Sequence, residues 1–336
     1  MKTARDYHTA TLLRNGKVLV AGGYSGPLGT VVLASTELYD PSTNGWSDAA
    51  PMLIPHASHT AALLPDGKVL IASGRSSGGD TMEAETYDPA TNVWSKAGNL
   101  AVARTSATAL VLASGKVLVI GGDSTANPGA ELYDPGTNSW LQLPNTDTHH
   151  VNVASSLSNG RVLVLGDVSK WTYQFFAQYD PTSNTWHPIG RPPISFASAV
   201  LLGTGKVLFV RKLEPGDDDK LAGLYDPVSD SWTPAAPMEI NGVWGIGTAL
   251  PGGRALVAGS AMSRGILGCG SGASCQNAEV YDPVRNSWTV TSGMATSRGE
   301  HTATLLANGK VLITGGYVPP DPDMTATAEI YDPTGD

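Results

Sequence analysis

The chain has 336 residues, of which 15% are charged, with 39 Gly and 23 Pro; this composition favours short strands and turns over long charged helices. Its formal net charge of −9 provides no basic face, which argues against nucleic acid or an anionic membrane as a partner. No stretch approaches the ~18 uninterrupted apolar residues of a membrane-spanning helix, and the first residues lack the apolar segment of a secretory signal.

A unit of about 50 residues recurs along the whole chain. The Gly-Lys pair at Gly16 returns six more times as Gly-Lys or Gly-Arg, and the Tyr-Asp-Pro that begins at Tyr39 also occurs in seven copies. A tryptophan follows seven residues after the tyrosine in six copies. Length alone suggests two domains, whereas the repeat predicts one domain over 1–336. The predicted repeats cover 1–52, 53–100, 101–144, 145–189, 190–238, 239–294 and 295–336.

Each repeat predicts four short strands, which the first copy shows in chain order. Strand one is followed by Asn15-Gly16, a pair that supplies the positive φ angles of a two-residue type I′ hairpin. Strand two, residues 17–21, is an apolar run typical of a strand buried on both faces, and it ends at a double glycine. Strand three ends at Tyr39, and turn-forming residues then lead to strand four at Trp46.

Four short strands in each of seven repeats predict an all-β chain folded as a β-propeller. The double glycine after strand two, the tyrosine that ends strand three and the tryptophan of strand four resemble the kelch repeat. The resemblance implies a seven-bladed ring of four-stranded blades, with strand one innermost around a central channel. It leaves the activity open, because the same ring carries oxidases, lyases and binding modules.

The last repeat stops after its third strand. It ends at Asp336 before a tryptophan strand, and the N-terminus does not supply one, because Met1 aligns with Met294, which already follows Trp288. The last blade is therefore predicted to lack its outer strand, with strand three, around residues 328–331, as an exposed edge. Either the chain was cut from a longer protein, or the edge is tolerated, or it pairs with a partner or a second copy.

Aromatic residues that do not recur in the repeats are predicted to mark the functional site. They fall in loops that open on one face of kelch-like propellers, whereas Asp167 and Arg211 lie where other repeats have glycine. An aromatic, concave mouth with a few polar groups is typical of a pocket for a small molecule, glycan or peptide. The alternative is that these rings plug the channel or pack against loop bases. The pocket is predicted over blades four to six, with Tyr24, Asp167, Trp171, Tyr173, Phe196, Arg211, Trp244 and Tyr317 as its residues.

Acid–base catalysis in the same pocket is the second hypothesis. His149 and His150 are adjacent, and histidine titrates near neutral pH. Glu300 and Tyr7 occupy equivalent repeat positions and are candidates to assist. This set predicts a cofactor-independent lyase, isomerase or cyclase. The alternative is that the histidines bond to loop carbonyls, and binding without catalysis is the leading interpretation because no catalytic motif is complete.

An arginine position and a glutamate position recur together in repeats one, three and seven, which predicts a structural ion pair within each of these blades. The pairs are Arg5 with Glu37, Arg104 with Glu131 and Arg298 with Glu329. The second repeat offers His56 with Glu85 instead. His149 has no such partner, because Ala177 stands at the glutamate position, and this makes it available for chemistry.

No metal site and no cofactor are predicted. His8, His59 and His301 share one repeat position, which favours a common structural hydrogen bond over metal ligation. Copper oxidases of the kelch type need ligating tyrosines and a cysteine cross-linked to one of them, and no such constellation can be recognised. Cys269 and Cys275 instead flank five residues of one loop. As a disulfide they would indicate an extracytoplasmic compartment, and as free thiols they leave the location open.

Overall fold

Seven antiparallel sheets follow one another along the chain in the computed structural model, one for each predicted repeat. Each of the first six contains four strands paired in chain order, and the seventh contains three described strands. Sheets repeated in this way are the blades of a seven-bladed β-propeller, so the predicted fold is confirmed. The structure describes residues 1–122, 129–143, 150–169, 173–192, 196–211, 222–240, 245–259, 276–318 and 324–334.

The chain divides into two compact units, Met1–Ala154 with Val164–Phe175 and Ser155–Leu163 with Phe176–Asp336, and one domain over 1–336 stays a prediction. The first unit contains blades one to three. Their strands are β1 (Thr9–Leu12), β2 (Val18–Ala21), β3 (Tyr24–Ser25), β4 (Val31–Val32), β5 (Thr36–Asp40), β6 (Gly45–Ala49), β7 (Thr60–Leu63), β8 (Val69–Ala72), β9 (Arg75–Ser76), β10 (Gly79–Asp80), β11 (Glu83–Asp88), β12 (Val93–Asn99), β13 (Thr108–Val111), β14 (Val117–Ile120), β15 (Ala130–Asp134) and β16 (Ser139–Gln142). The pairs β3–β4 and β9–β10 are short ribbons outside the blades.

The fourth blade has residues in both units, and blades five to seven lie in the second. Their strands are β17 (His150–Ser156), β18 (Val162–Ser169), β19 (Tyr173–Asp180), β20 (Thr185–Pro188), β21 (Phe196–Leu201), β22 (Val207–Arg211), β23 (Ala222–Asp226), β24 (Ser231–Pro234), β25 (Ile246–Ala249), β26 (Ala255–Ala258), β27 (Ala278–Asp282), β28 (Ser287–Val290), β29 (Thr302–Leu305), β30 (Val311–Thr314) and β31 (Ala328–Tyr331). Short 3-10 helices occupy Pro27–Gly29 and Pro251–Gly253. Within the described ranges, no helix is long and apolar enough to cross a membrane.

The second strand of each blade carries the core. Every residue of this strand is buried in blades one, two, three, six and seven, as the apolar runs predict. A fully buried Val, Leu or Ile side chain contributes about 1.5–3 kcal/mol. These strands are therefore the main source of apolar stabilisation within each blade.

In blades two, three and six, the tyrosine of strand three and the tryptophan of strand four pack against the blade before them. The rings of Tyr87 and Trp94 in blade two lie 5.1 Å apart between centroids. They pack in one cluster with Leu19 and Met52 of blade one. The indole Nε1 of Trp94 donates a 2.8 Å hydrogen bond to the carbonyl of Ala50. The same ring pair, with centroids 4.8–5.1 Å apart, occurs in the other five four-stranded blades, which explains why both residues recur.

A tyrosine hydroxyl closes the Tyr-Asp-Pro corner in blades one to six. In blade one, the hydroxyl of Tyr39 donates a 2.9 Å hydrogen bond to Oδ1 of Asn44, whose φ is 52°. Oδ1 of Asp40 accepts from the hydroxyl and the amide of Ser42 at 2.6 and 3.0 Å, and these bonds lower the pKa of Asp40 to about 2. The left-handed residue recurs at the same corner as Asn44, Asn92, Asn138, Asn184, Asp230 and Asn286.

The hairpin between strands one and two differs from the predicted type I′ turn. The amide of Gly16 donates to the carbonyl of Leu13 at 3.0 Å, and the amide of Leu13 donates to the carbonyl of Lys17 at 2.8 Å. Gly16 has a φ of 82°, whereas Asn15 has no positive φ. The loop is therefore a type I turn closed by a left-handed glycine. The type I′ prediction is wrong. Oδ1 of Asn15 accepts a hydrogen bond from the amide of Lys17 at 3.1 Å, and the turn then needs only one left-handed residue, Gly16.

The last blade has the predicted exposed edge. Among the described strands, β31 pairs with β30 and has no neighbour on its other side. The side chain of Glu329 is 21% exposed, whereas its counterparts Glu37 and Glu131 are 2% and 0% exposed. Tyr331 is 9% exposed, against 0–3% for the six equivalent tyrosines. The edge therefore lacks the cover that a fourth strand provides elsewhere.

Candidate functional site

A buried ion pair anchors the segment that leads into strand one. The side chains of Arg104 and Glu131 are fully buried, with Nη2 and Oε1 2.5 Å apart. The same guanidinium donates to the carbonyls of Gly121 and Gly129, each at 3.1 Å. Burial lowers the pKa of Arg104, and the carboxylate of Glu131 opposes that shift. The other two predicted pairs are also confirmed, at 2.9 Å for Arg5–Glu37 and 2.6 Å for Arg298–Glu329.

The glutamate has a second role that the sequence does not indicate. Its carboxylate accepts hydrogen bonds from two successive backbone amides ahead of strand one, as Glu85 does from Leu53 and Ile54 at 2.7 and 2.9 Å. The same arrangement occurs in blade six. In blade two, Nε2 of His56 lies 3.4 Å from Oε1 of Glu85, which confirms the predicted partner. Nδ1 of His56 lies 2.8 Å from the carbonyl of Ser73.

Two residues after the arginine or histidine position, the backbone is left-handed in blades one, two, three and seven. The residues are Tyr7, Ser58, Ser106 and Glu300, with φ of 48°, 49°, 57° and 51°, and we name them the rim residues. This conformation costs a non-glycine residue about 1–2 kcal/mol. Backbone hydrogen bonds of 3.0 Å from Ser58 to Tyr7 and of 2.8 Å from Ser106 to Ser58 join the first three. The fold therefore imposes the backbone, while the side chain differs from blade to blade.

The backbone around each rim residue runs close to the glycine that follows strand two. In blade two, the amide of Gly74 donates to the carbonyl of Arg104 at 2.8 Å. The φ of Gly74 is 93°, and an added Cβ would lie 2.5 Å from the carbonyl oxygen of Ala57 and 2.8 Å from Cα of His59. The recurrent glycine is thus required by both its conformation and the approach of a second backbone.

We expect Gly74→Ala to destabilise the protein more than Gly16→Ala. Both glycines have a positive φ, so each substitution costs about 1–2 kcal/mol of backbone strain. An added Cβ at Gly16 meets nothing within 4 Å, whereas the clash at Gly74 adds roughly 1–2 kcal/mol. Urea unfolding of the two variants measures the difference. Equal losses of stability would show that the close approach is unimportant.

Blade one carries two tyrosines where strand two ends and strand one begins. The rings of Tyr7 and Tyr24 are edge to face, with centroids 5.8 Å apart and planes at 83°. A backbone bridge fixes the pair, because the amide of Tyr24 donates to the carbonyl of Asp6 at 2.9 Å and the amide of Asp6 donates back at 3.2 Å. Both tyrosines are half-buried, so each combines a fixed position with a ring surface in contact with solvent.

In blade two, Arg75 occupies the place of Tyr24. The same type of bridge joins it to Ala57 through backbone hydrogen bonds of 2.7 and 2.9 Å. Its side chain is 58% exposed, and Nε lies 4.0 Å from the carboxylate of Asp80. An exposed ion pair of this kind contributes little to stability, so a ligand can compete with Asp80 for the guanidinium.

In blade seven, the two equivalent predicted site residues differ in exposure. Glu300 is half-buried at the rim position. Tyr317 forms the backbone bridge to Gly299 and is only 7% exposed. Its ring lies over Gly299, where an added Cβ would come within 2.5 Å of Cε1 and Cζ. Tyr317 thus has a packing contact, and its role in binding stays a prediction.

The fourth blade has longer strands than the first. Strands β17, β18 and β19 have seven or eight residues, whereas β1 and β2 have four. Five predicted site residues lie in the fourth and fifth blades, namely His150 in β17, Asp167 in β18, Tyr173 in β19, Phe196 in β21 and Arg211 in β22. Phe196 and Arg211 are cross-strand partners, so the structure brings these two positions together. The structure does not describe the side chains of these five residues. Five further residues of interest lie wholly outside the described residues, namely His149, Trp171, Trp244, Cys269 and Cys275. The roles of all ten stay predictions.

The histidines that open strand one are buried. His59 and His301 are 6% and 3% exposed, and Nε2 of His59 lies 2.9 Å from Oγ1 of Thr9, in agreement with a structural hydrogen bond. Burial, followed by the neighbouring His56, lowers the pKa of His59 well below its usual value. Burial and then Arg298 lower the pKa of His301 to about 3. Both histidines are therefore neutral at physiological pH.

These shifts predict a loss of stability on acidification. Between the unfolded pKa of about 6.5 and the folded pKa of about 3, unfolding takes up one proton at His301, so stability falls as the pH falls, by about 1.4 kcal/mol per pH unit. Between pH 7 and pH 5, the unfolding free energy of the wild type should decrease by about 2 kcal/mol more than that of His301→Gln. Urea titrations at the two pH values measure this, and identical decreases would contradict the assignment.

Comparisons with known proteins agree with this architecture. The family model for the Kelch motif matches residues 7–53. No curated protein matches the chain. Among solved structures, a fungal alcohol oxidase of the AA5 family, in complex with copper, superposes with a TM-score of 0.79. The match covers 98% of this chain and 74% of that chain at 19% identity, a level at which the likeness concerns the fold alone.

Proposed function

We propose, from the premise that the chain belongs to the kelch-repeat β-propellers, that it is a ligand-binding module whose site lies where strand two ends and strand one begins. One observation carries the proposal. The rim residues keep one backbone conformation while their side chains differ, as Tyr, Ser, Ser and Glu. Fixed loops that present different side chains are typical of a binding surface on a rigid scaffold.

The side chains at this end suit a ligand that has both a ring and polar groups. The exposed parts of Tyr7 and Tyr24 offer an apolar surface for a sugar ring, a cyclic molecule or a peptide side chain. Arg75 adds a positive charge with several hydrogen-bond donors. The hydroxyls of Ser58 and Ser106 add neutral donors and acceptors. The ligand class is therefore a small molecule, glycan or peptide.

An aromatic surface is also proposed over blades four to six. By repeat spacing, Phe196 and Trp244 fall at the rim position of repeats five and six. The backbones of Phe196 and Arg211 are cross-strand partners, which supports a place for both residues in this surface. In repeat four, Tyr173 begins β19 and Trp171 precedes it by two residues, and both are proposed to complete the wall.

Copper oxidation is not carried over from the alcohol oxidase. In the part of the chain that the structure describes, no three His, Cys, Asp or Glu side chains cluster in a way that could hold a metal ion. The recurrent histidines are also buried, and His59 already contacts Thr9. The described residues thus do not fit a copper centre, and no redox step is proposed.

A ligand screen with matched variants tests the proposal. A panel of oligosaccharides, small cyclic molecules and short peptides is screened by saturation-transfer NMR. We expect Trp171→Ala and Trp244→Ala to abolish binding of a hit, and Val228→Ala, at a 90% exposed corner position, to leave it unchanged. Unchanged binding in both tryptophan variants would contradict a site over blades four to six.

The same hits distinguish binding from catalysis. If the hit is converted to product, and His149→Ala or His150→Ala stops conversion while binding persists, the protein is a cofactor-independent lyase, isomerase or cyclase. If the hit binds without conversion, and neither histidine variant changes its affinity, the protein is a binding module as proposed.

A further inference from the structure

Tyr24 and Arg75 occupy the same place in neighbouring blades. Each begins a short ribbon after strand two, at the start of β3 and of β9, and each forms a backbone bridge to the residue just before the rim residue of its blade. The two blades are tied together here, because the amide of Gly23 donates to the carbonyl of His56 at 2.8 Å. The aromatic ring and the guanidinium therefore belong to adjacent segments that backbone hydrogen bonds hold in place.

The guanidinium of Arg75 has donors to spare. Arg75 and Asp80 are cross-strand partners in the ribbon β9–β10, and Nε lies 4.0 Å from Oδ1 of Asp80. Within the described ranges, no other side chain pairs with Arg75, and neither of its Nη atoms makes a hydrogen bond. The Nη atoms carry four of the five donors of a guanidinium, in a planar fork that matches a carboxylate. This fork is available to a ligand.

The other arginines of blades one to three already have their donors engaged. Arg5 and Arg104 are buried in ion pairs with Glu37 and Glu131. Arg14 lies at the hairpin between strands one and two, at the opposite end of these strands, and its Nη2 donates to the carbonyl of Pro65. Arg75 is therefore the arginine of these blades that can receive an acidic group.

The charge of the chain favours a ligand with a single acidic group. The formal net charge of −9 repels a polyanion, and Arg75 supplies one positive charge. A bidentate hydrogen bond between a guanidinium and one carboxylate is roughly twice as strong as a neutral one. The half-buried ring of Tyr24, held edge to face with Tyr7, adds an apolar surface of the size of one ring. A small ligand with a ring and a carboxylate matches both groups.

We propose that the site at blades one and two binds a small cyclic carboxylate, with its ring against Tyr24 and its carboxylate on the Nη atoms of Arg75. Resting on the proposed function, this assignment specifies the ligand class at that part of the surface. The carboxylate displaces little, because the ion pair of Arg75 with Asp80 is long and exposed. A free aromatic acid and an acidic sugar share this chemistry.

Two matched pairs of ligands test the class on the full chain. Phenylacetate is compared with phenylacetamide, and galacturonate with galactose, so that each pair differs in the carboxylate. Affinities are measured by NMR titration at low and at high salt. We expect one acid to bind at least tenfold more tightly than its neutral counterpart, and salt to weaken the binding of the acid alone. The pair that shows this preference identifies the ligand as an aromatic acid or an acidic sugar.

Variants of the protein locate the carboxylate. Arg75→Gln is expected to weaken binding of the acid at least tenfold and to leave the neutral counterpart unaffected, whereas Arg75→Lys, which keeps the charge but not the fork, should lose less. Asp80→Asn should strengthen binding of the acid, because it removes a competing carboxylate. The matched control is Arg285→Gln, which removes an arginine 79% exposed at a corner of blade six and should leave binding unchanged.

The results separate the carboxylate assignment from the proposed function. Equal affinities for acid and neutral ligand, or an acid affinity unchanged in Arg75→Gln, would overturn the assignment. If binding is still lost in Tyr24→Ala in that case, the ligand-binding site stands. If neither acid binds while a hit from the screen does, the assignment is wrong and the proposed function holds. If no probe and no hit binds, both are wrong.

Discussion

Replacing Arg104 with methionine is expected to lower the free energy of unfolding by about 3–5 kcal/mol, because it leaves a buried carboxylate without its partner. The side chains of Arg104 and Glu131 are both 0% exposed, and their 2.5 Å contact is joined by hydrogen bonds to two carbonyls. Methionine keeps much of the volume but cannot compensate the charge of Glu131 or satisfy the carbonyls of Gly121 and Gly129. Chemical denaturation of both proteins at pH 7 measures the loss.

Two further variants define the origin of that loss. Arg285→Met removes an arginine that is 79% exposed and lies 2.6 Å from Asp282, and we expect it to cost less than about 1 kcal/mol. Arg298→Met should cost less than Arg104→Met, because water already reaches Glu329, which is 21% exposed. If Arg104→Met and Arg285→Met had the same effect, burial would not be the reason why this arginine recurs.

Replacing Trp94 with alanine is expected to cost about 3–5 kcal/mol through the cavity it leaves between two blades. Trp94 is 5% exposed, its ring packs on Tyr87, and its Nε1 donates to Ala50 at 2.8 Å. Trp94→Phe keeps a ring and loses that hydrogen bond, so a smaller cost is expected. Urea unfolding measures each variant.

The neighbouring position in the same strand provides the control. Val93 is 51% exposed, and Val93→Ala should change stability by less than about 0.5 kcal/mol. A loss for Trp94→Ala no greater than that for Val93→Ala would contradict the conclusion that the recurrent tryptophans hold neighbouring blades together.

The fold could be predicted because its main contacts repeat. Tyr39 and Trp46 stand seven residues apart in one blade, and their counterparts do so in five more, which indicates a fixed cross-strand pair before any coordinates are known. The turn type could not be predicted in the same way. Asn15-Gly16 is compatible with two hairpins, and the choice depends on whether the asparagine side chain accepts a hydrogen bond.

The candidate site was predicted less completely than the fold. Spacing alone places Tyr7 and Glu300 at one repeat position, but their left-handed backbone follows from contacts with neighbouring segments. The amides bound by Glu85 belong to Leu53 and Ile54, which have no recognisable pattern in the sequence. A residue type can be aligned across repeats, whereas hydrogen bonds from the backbone of residues whose type varies must be seen in the structure.

We propose that the rim residue Tyr7 and its neighbour Tyr24 bind a ligand and do not hold the fold together. The most direct test is the melting temperature of the wild type and of the double variant Tyr7→Ala/Tyr24→Ala, each with and without a hit from the screen at 100 times its Kd. At that concentration the ligand should stabilise the wild type by about 2.7 kcal/mol and raise its melting temperature. The double variant should melt near the wild-type temperature without ligand and show no shift with it. The same ligand-induced shift in both proteins would contradict the claim.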